Sequence, residues 1–241
     1  PTRRSSDLAS SRSYRKKSGE YLCDGTKLLA EALKWGAEVK TAVFSEGVDI
    51  PPLPDGVRAV RVSEELMHSV SPMETPQGAL FTVALPEVQL PETLSGKHYL
   101  VLDGVQDPGN VGTILRTADA FDCDGVFLVN ACADLYNPKT ARATMGAIFR
   151  REAYTVTAEE LFALLRKSGV PLYGTALRDD TVPLAEANLA RAAVAIGSEG
   201  RGLSQQVLDE CAKTLKIPMN PRCESLNAAI AATVVLWEMY R

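Results

Sequence analysis

The sequence lacks the features that mark several common classes of protein. No apolar run reaches the roughly 18 residues of a membrane helix, and no apolar segment follows the charged N-terminal stretch as it would in a signal peptide. The 241 residues include 2 histidines and 5 cysteines, without a C-x-x-C pair or a histidine cluster. These absences argue against membrane insertion, disulfides and metal sites, and we expect a cytoplasmic protein.

A strongly basic composition is absent as well. The net charge is −4, and the 46% hydrophobic and 23% charged residues are ordinary for a globular protein. The basic residues are concentrated at the front, where the first forty positions carry nine Lys or Arg against five acids. This front end predicts either a patch that contacts phosphates or a solvated charged tail.

Strand and helix patterns alternate along most of the chain. Residues 12–85 predict a small α/β domain, and residues 86–97, with Pro86, Pro91 and Gly96, predict a linker. Residues 98–241 repeat the alternation, which predicts a mostly parallel sheet covered by helices on both faces. Residues 1–11 show no periodicity and predict a disordered leader, a truncation edge or an expression remnant.

The last 25 residues combine a polar start with an apolar helix. Ser225 is the predicted N-cap of this helix. The predicted buried face, at helical spacing, consists of Leu226, Ala229, Ile230, Thr233, Val234, Trp237 and Tyr240. A thin face on which another backbone can pack is predicted from Ala228, Ala229, Ala231 and Ala232.

Five polar residues are crowded at the start of this helix, more than a cap requires. They are Asn220, Arg222, Glu224, Ser225 and Asn227. One interpretation is a capped helix that docks onto the fold. The other is a ligand site, because the free N–H groups of a helix N-terminus attract ligands.

Two further loops follow predicted strands, where ligands of parallel sheets bind. Residues 103–116, D-G-V-Q-D-P-G-N-V-G-T-I-L-R, predict a turn and a helix that Asn110 opens and that carries Arg116. Residues 197–204, G-S-E-G-R-G-L-S, lack both the Walker A ending and the G-x-G-x-x-G spacing, which argues against a nicotinamide dehydrogenase. Glu199 would repel a polyphosphate, so a cationic or neutral ligand is favoured.

Taken together, the three loops resemble the three motifs of the SpoU (TrmH) family. The matching stretches are Asn110-Val111-Gly112 with Arg116, Ile196–Gly202, and Ile217-Pro218-Met219 with Glu224-Ser225-Leu226-Asn227. Residues 21–33 and 71–80 resemble the L30e-like substrate-binding domain of the same family. These proteins are S-adenosyl-L-methionine-dependent RNA ribose 2′-O-methyltransferases of the SPOUT superfamily, and the resemblance extends over residues 12–241.

The resemblance implies a homodimer with its active site at the subunit interface, and a deep trefoil knot in the C-terminal domain. It implies ribosomal RNA as substrate in preference to transfer RNA. A non-catalytic RNA-binding assembly factor with a residual cofactor pocket is the alternative from another class. No membrane and no metal are implied.

The resemblance also implies a set of site residues. S-adenosyl-L-methionine would be held by Gly197, Ile217 and Leu226, with Leu177, Ser198, Met219 and Asn220 as further candidates. Catalysis would involve Arg116, Glu199, Asn110, Ser225 and Asn227. Arg116 is either the general base or a clamp on the adjacent phosphate, and Glu199 is either an alternative proton acceptor or the partner that orients Arg116. RNA would be contacted by Arg116, Arg15, Lys16 and Lys17.

Overall fold

The structure, a computed structural model, describes residues 2–223 and 225–241. The helices are α1 (Thr2–Ser10), α2 (Arg12–Ser18), α3 (Thr26–Lys34), α4 (Glu64–Val70), α5 (Pro108–Ala120), α6 (Pro138–Ala143), α7 (Ala158–Ser168), α8 (Gln205–Glu210) and α9 (Ala228–Tyr240). The strands are β1 (Glu20–Asp24), β2 (Val39–Ser45), β3 (Arg58–Val62), β4 (Ala79–Ala84), β5 (His98–Asp103), β6 (Gly125–Val129), β7 (Ala153–Thr155), β8 (Leu172–Thr175), β9 (Val182–Pro183), β10 (Ala192–Gly197) and β11 (Lys213–Lys216). They form two compact units, one of residues up to Glu87 with Asp134–Arg150, the other of Val88–Ala133 with Arg151–Arg241.

The first unit is built on a four-stranded sheet in the order β1-β4-β2-β3. β4 pairs antiparallel with β1 and β2, whereas β2 and β3 are parallel. Because side chains alternate along a strand, Phe44 and Phe81 face the core beneath α3, while Leu22 and Leu80 face the other side with Leu8 of α1. The predicted small α/β domain is therefore present.

The predicted disordered leader differs from the structure, which has α1 over most of it. Leu8 is fully buried, in a cluster with Leu22 and Met67. The guanidinium of Arg15 donates to the carbonyl oxygens of Leu8 at 2.5 Å and Ala9 at 3.2 Å. One buried leucine and one buried arginine hold this helix, and a mostly polar stretch of eleven residues gives no periodic signal for either.

Residues 134–150 also differ from the predicted division, which assigned all of 98–241 to the C-terminal domain. The carboxylate of Asp134 pairs with Arg15 at 2.5 Å, and the rings of Tyr136 and Tyr21 lie 4.9 Å apart. Ala141 is buried in the core of the first unit. These contacts join residues more than a hundred positions apart, so local sequence patterns do not reveal them.

The second unit is built on a seven-stranded sheet in the order β7-β6-β5-β10-β8-β11-β9. Every pair of neighbouring strands is parallel, as the alternating pattern predicted. One face, including Val101 and Phe127, packs under α7 and α8. In the second unit, α5 and α9 pack against each other, and α9 also packs against β10. Among the described residues, no helix has the length and apolar character needed to cross a membrane.

The predicted buried face of the C-terminal helix is wrong. α9 buries a neighbouring stripe, made of Ala228, Ala229, Ala232, Val235, Leu236 and Met239. Ile230, Trp237 and Tyr240 are instead exposed. The helix is apolar nearly all round, so spacing alone does not select the inward face. The predicted thin alanine face therefore packs largely inside the chain.

Candidate active site

A cavity of about 240 Å³ lies beyond the carboxyl ends of β8, β10 and β11. Parallel sheets bind their ligands at this edge. The cavity is lined by Thr175, Ala176, Leu177, Ile196, Gly197, Ser198, Glu199, Gly202, Leu215, Lys216, Ile217, Met219, Ser225, Leu226, Ala228 and Ala231. Two of the three loops that the sequence singled out, 197–204 and 217–227, thus converge on one space.

The loop after β10 is a tight turn closed on itself. The Ser198 amide donates to the Gly202 carbonyl at 3.1 Å, and the Gly202 amide donates to the Ser198 carbonyl at 2.9 Å. A Cβ on Gly197 would lie 2.2 Å from the Gly202 carbonyl carbon, so only glycine fits there. Glycine at 197 therefore allows the backbone to approach Gly202 of the same loop closely.

Glu199, at the tip of this turn, is the centre of a polar cluster. Its Oε1 accepts hydrogen bonds from Asn110 Nδ2 at 2.6 Å, Asn227 Nδ2 at 2.8 Å and the Ala228 amide at 3.4 Å. Asn227 Nδ2 also donates to Asn110 Oδ1 at 3.1 Å. One residue from each of the three motif loops is therefore held within hydrogen-bonding distance of the others.

Asn227, and not the predicted Ser225, caps α9. The Asn227 Oδ1 accepts from the amides of Ala229 at 2.9 Å and Ile230 at 3.3 Å, which satisfies two free donors of the first turn. Ser225 lies before the helix, exposed, and lines the cavity. Glu224, the neighbouring motif residue, lies outside the described residues.

The start of α5 explains how Asn110 reaches Glu199. The helix begins at Pro108, and the Asp107 side chain caps it by accepting from the Asn110 amide at 2.7 Å. Asn110 therefore lies in the first turn, whereas the sequence predicted that it would open the helix. Its side chain is free to leave the helix N-terminus toward the cluster.

Asp103, at the end of β5, supports the same edge and was not predicted as a site residue. The buried carboxylate accepts from the Ser204 amide at 2.6 Å and from Asn130 Nδ2 at 2.8 Å. Asn130 and Ala131 both have left-handed backbones, with φ of 53° and 60°. The signal available in the sequence was a carboxylate at the end of a buried strand.

The predicted cofactor residues fall in two groups. Six of them line the cavity, namely Gly197, Ile217, Leu226, Leu177, Ser198 and Met219, with Leu177 80% exposed at its edge. Asn220 is not among the lining residues, and its Oδ1 accepts from the Arg222 amide at 3.0 Å. Thr175 and Lys216, which were not predicted, also line the cavity at the ends of β8 and β11. Their positions at the carboxyl ends of predicted strands were the signal that could have identified them.

Arg116 does not reach this cavity within the chain. Its side chain is exposed on α5, six residues beyond Asn110, and it is absent from the cavity lining. Six residues correspond to more than one and a half helical turns, so the two side chains leave α5 in different directions. Within the described part of the chain, Glu199 is bonded to the two asparagines and not to Arg116.

One of the predicted RNA contacts is wrong. Arg15 is only 3% exposed, and its guanidinium is engaged by Asp134 and by carbonyl oxygens of α1. It is therefore unavailable to a phosphate. Lys16 and Lys17 are exposed on α2, and their contact with RNA stays a prediction.

Three of the five cysteines offer little chemistry near neutral pH. Burial raises the pKa of the Cys132 thiol to about 11 and that of Cys211 to about 12. Burial also raises the pKa of Cys23. These three thiols stay protonated at neutral pH and are therefore poor nucleophiles.

Comparison with known proteins agrees with this geometry. Residues 97–237 match the SpoU rRNA Methylase family, and residues 6–80 match the MRM3-like substrate binding domain, starting inside the predicted leader. The 23S rRNA (guanosine(2553)-2′-O)-methyltransferase RlmP of Bacillus subtilis is 33% identical over 93% of this chain and 90% of its own length. Mitochondrial rRNA methyltransferase 3 of Homo sapiens is 31% identical over 96% of this chain and 70% of its own.

The solved structures lead to the same group. The SpoU methyltransferase AviRb from Streptomyces viridochromogenes, in complex with AdoMet, has a TM-score of 0.87 at 26% identity, over 100% of this chain and 96% of that one. The fold and the strand-end site define a methyltransferase of the SPOUT class. The chain belongs to the SpoU rRNA methylase family.

Proposed function

We propose that the protein transfers a methyl group from S-adenosyl-L-methionine to a ribose 2′-hydroxyl of RNA, with ribosomal RNA as the substrate. The observation that carries this proposal is the cluster of Asn110, Glu199 and Asn227 beside the strand-end cavity. Such a cluster supplies what the reaction needs, since a hydroxyl must be positioned and its proton accepted. RlmP and rRNA methyltransferase 3 are both named for methylation of ribosomal RNA.

The cavity suits the cofactor in shape and in charge. Leu177, Ile217 and Leu226 provide apolar surface for a flat ring. The carboxylate of Glu199 favours a ligand with a positive centre. When bound, S-adenosyl-L-methionine supplies an electrophilic methyl group at its sulfonium. The residues around it then orient the ribose and exclude water.

Glu199 is placed to accept the proton of the ribose hydroxyl. All three donors from the described residues bond to its Oε1, which leaves Oε2 without a hydrogen-bond donor among those residues. The two asparagines hold the carboxylate in one orientation and restrict its rotation. Holding an acceptor in place before the substrate arrives lowers the barrier to proton transfer.

Glu199→Gln tests this role. We expect turnover to fall about 100-fold or more, because the amide keeps the hydrogen bonds to Asn110 and Asn227 and loses the basic oxygen. Single-turnover methyl transfer at saturating cofactor would measure the rate, and calorimetry would separately report the weaker cofactor binding that loss of the carboxylate charge implies. Glu92→Gln, at an exposed carboxylate of the same unit, is the control. Turnover close to wild type would reduce Glu199 to a hydrogen-bond acceptor for the asparagines.

A homodimer is the second part of the proposal. The exposed face of α9 carries Ile230, Trp237 and Tyr240, each more than half exposed. The Phe121 ring lies 5.7 Å from both Trp237 and Tyr240, so the aromatic surface continues onto the end of α5. A contiguous apolar patch of this kind is typical of an interface. We infer that a second copy covers it, and that Arg116, exposed on α5, acts in the cavity of the partner.

Trp237→Glu tests the dimer. A buried charge without a partner is costly at an interface, so we expect the variant to be monomeric by light scattering and to lose most methyl transfer. Its circular dichroism should stay that of the wild type, because Trp237 is half exposed in the single chain. Val88→Glu, at another exposed apolar residue, should stay dimeric. A Trp237→Glu protein that remained a dimer would place the interface elsewhere.

The activity itself is tested with labelled cofactor. Purified protein is incubated with methyl-labelled S-adenosyl-L-methionine and either ribosomal or transfer RNA, and alkali-resistant nucleotides are then mapped. We expect label at a ribose of ribosomal RNA. Transfer to tRNA alone would identify transfer RNA, and not ribosomal RNA, as the substrate. Cofactor binding without transfer to any RNA would favour the non-catalytic assembly factor.

We also propose that residues 217–227 are threaded through a loop of the same domain, forming a trefoil knot. β10 lies between β5 and β8, and the Ala228 amide and Asn227 reach back to Glu199 of the preceding loop. Mechanical stretching from both chain ends would test this, since a knot shortens the fully extended chain. An extension equal to the full contour length would rule the knot out.

A further inference from the structure

The first unit contains a second cavity, whose residues take no part in the proposed methyl transfer. It has a volume of about 490 Å³ and lies on the face of the four-stranded sheet that α1 and α4 cover. Most of its wall is apolar, formed by Leu8, Leu22, Val43, Val60, Leu66 and Leu80. Small-molecule sites typically fall between roughly 300 and 1,000 Å³ and have such walls.

A polar row crosses one end of this apolar surface. In the sheet register Thr82 lies beside Leu22 and Thr41, and Thr41 lies beside Arg58. The side chains of Thr82, Thr41 and Arg58 all line the cavity. Adjacent strands thus present two hydroxyls and a guanidinium side by side on one face.

The hydroxyl of Thr82 has a property that points to a ligand. Thr82 is only 8% exposed, and its Oγ1 has no hydrogen-bond partner among the residues that the structure describes. Buried polar atoms are nearly always paired. By the alternation along β4, Thr82 faces the same side as Leu80, which is the side of the cavity.

The charged residues in the cavity lining are Arg4 and Arg58, both of them cationic. Arg4, at the rim, pairs with Glu20 at 2.6 Å, so its charge is compensated. Arg58 is exposed and forms no ion pair within the described part of the chain. One uncompensated guanidinium and two hydroxyls therefore stand at the polar end of an apolar cavity.

We propose that this cavity binds an amphipathic anion, which has an apolar chain or ring and a single carboxylate or similar oxyanion. The apolar part packs between the sheet and the helices α1 and α4. The oxyanion accepts hydrogen bonds from Thr82, Thr41 and the guanidinium of Arg58. A guanidinium bonds a carboxylate with two parallel N–H groups, which favours an anion over a neutral ligand of the same length.

The test uses the full chain and three probes: anilinonaphthalene sulfonate, dodecanoate and dodecanol. The fluorescent sulfonate should bind at one saturable site, and dodecanoate, below its micelle concentration, should displace it. Dodecanol has the same chain without the charge and should bind at least about tenfold more weakly, as loss of a charge-assisted hydrogen bond implies. Equal displacement by the alcohol, or no displacement by dodecanoate, would overturn the proposal.

Two variants assign the site to these residues. Arg58→Gln should weaken dodecanoate binding about tenfold, and Thr82→Val about fivefold, through loss of hydrogen bonds to the anion. Thr82→Val should not lower the thermal midpoint, because the valine replaces an unpaired hydroxyl with a methyl group of the same shape. Arg12→Gln and Thr93→Val, both at exposed positions that are not among the cavity-lining residues, are the matched controls. Unchanged affinity in both test variants would remove this cavity as the site.

Discussion

Replacing Arg116 with alanine is expected to lower the turnover of methyl transfer by about 100-fold or more while leaving cofactor affinity intact. The residue is exposed on α5 and is absent from the lining of the strand-end cavity, so we expect its loss to have little effect on folding. In the proposed dimer, its effect would come from the complex with RNA. Single-turnover kinetics with saturating cofactor would measure it.

The form of the loss distinguishes two roles for Arg116. Loss of a group that acts on the ribose hydroxyl in the transition state lowers kcat. Loss of a clamp on the adjacent phosphate instead raises the KM for RNA and reduces the salt dependence of that KM. Arg116→Lys adds a second criterion, because lysine keeps the charge and loses the bidentate fork. If turnover recovers with lysine, the reaction needs the positive charge at this position. If turnover does not recover, it needs the bidentate geometry of the guanidinium.

The matched control is Arg166→Ala, which removes an exposed arginine of α7 that pairs with Glu210 at 2.6 Å. Surface ion pairs of this kind contribute little to stability, so this variant should behave as the wild type. Wild-type turnover in Arg116→Ala would take Arg116 out of the mechanism altogether.

Among substitutions that add one methyl group near the site, Gly197→Ala is expected to have the largest structural effect. The new Cβ would lie 2.2 Å from the carbonyl carbon of Gly202 and 2.5 Å from the Leu203 amide nitrogen. Both are backbone atoms, so no side chain can move aside. The turn must open, and the two hydrogen bonds between Ser198 and Gly202 are then lost.

Two quantities should change in Gly197→Ala. The free energy of unfolding should fall by about 1–3 kcal/mol, as in other overpacked sites. Turnover should fall about 100-fold, because opening the turn displaces Glu199 by an ångström or more. Chemical denaturation and single-turnover kinetics would measure the two effects.

Gly200 provides the control within the same turn. A Cβ there meets nothing within 4 Å, so Gly200→Ala should leave both quantities close to wild type. If Gly197→Ala also behaved as the wild type, the tight closure of the turn would not be what positions Glu199.

Local patterns predicted the elements of both sheets well. The sequence patterns predict strands over Glu20–Asp24, Val39–Ser45 and Gly125–Val129, which are the limits of β1, β2 and β6. The alternation of strands and helices also correctly implied a parallel second sheet. The motif loops could be recognised because glycine and proline mark the turns at strand ends. These patterns encode the local conformation of the backbone. The prediction is therefore accurate for individual strands, helices and turns.

The misses have a common physical origin in contacts that no local pattern contains. Ser225 and Asn227 are equally good caps by residue type, and the choice of Asn227 depends on Asn110 and Glu199 holding its amide. Arg15 has the sequence context of a surface cation and is buried against Asp134, far along the chain. The inward face of α9 was ambiguous because both faces are apolar.

The way in which the Glu199 cluster is assembled has a consequence for folding. Asn227 and Asn110, which bond to each other, are 117 positions apart. Contacts between segments this distant form only when the second unit has folded as a whole. A chain that has formed its helices without docking them therefore has no completed cluster, and it holds no proton acceptor in place for the proposed reaction.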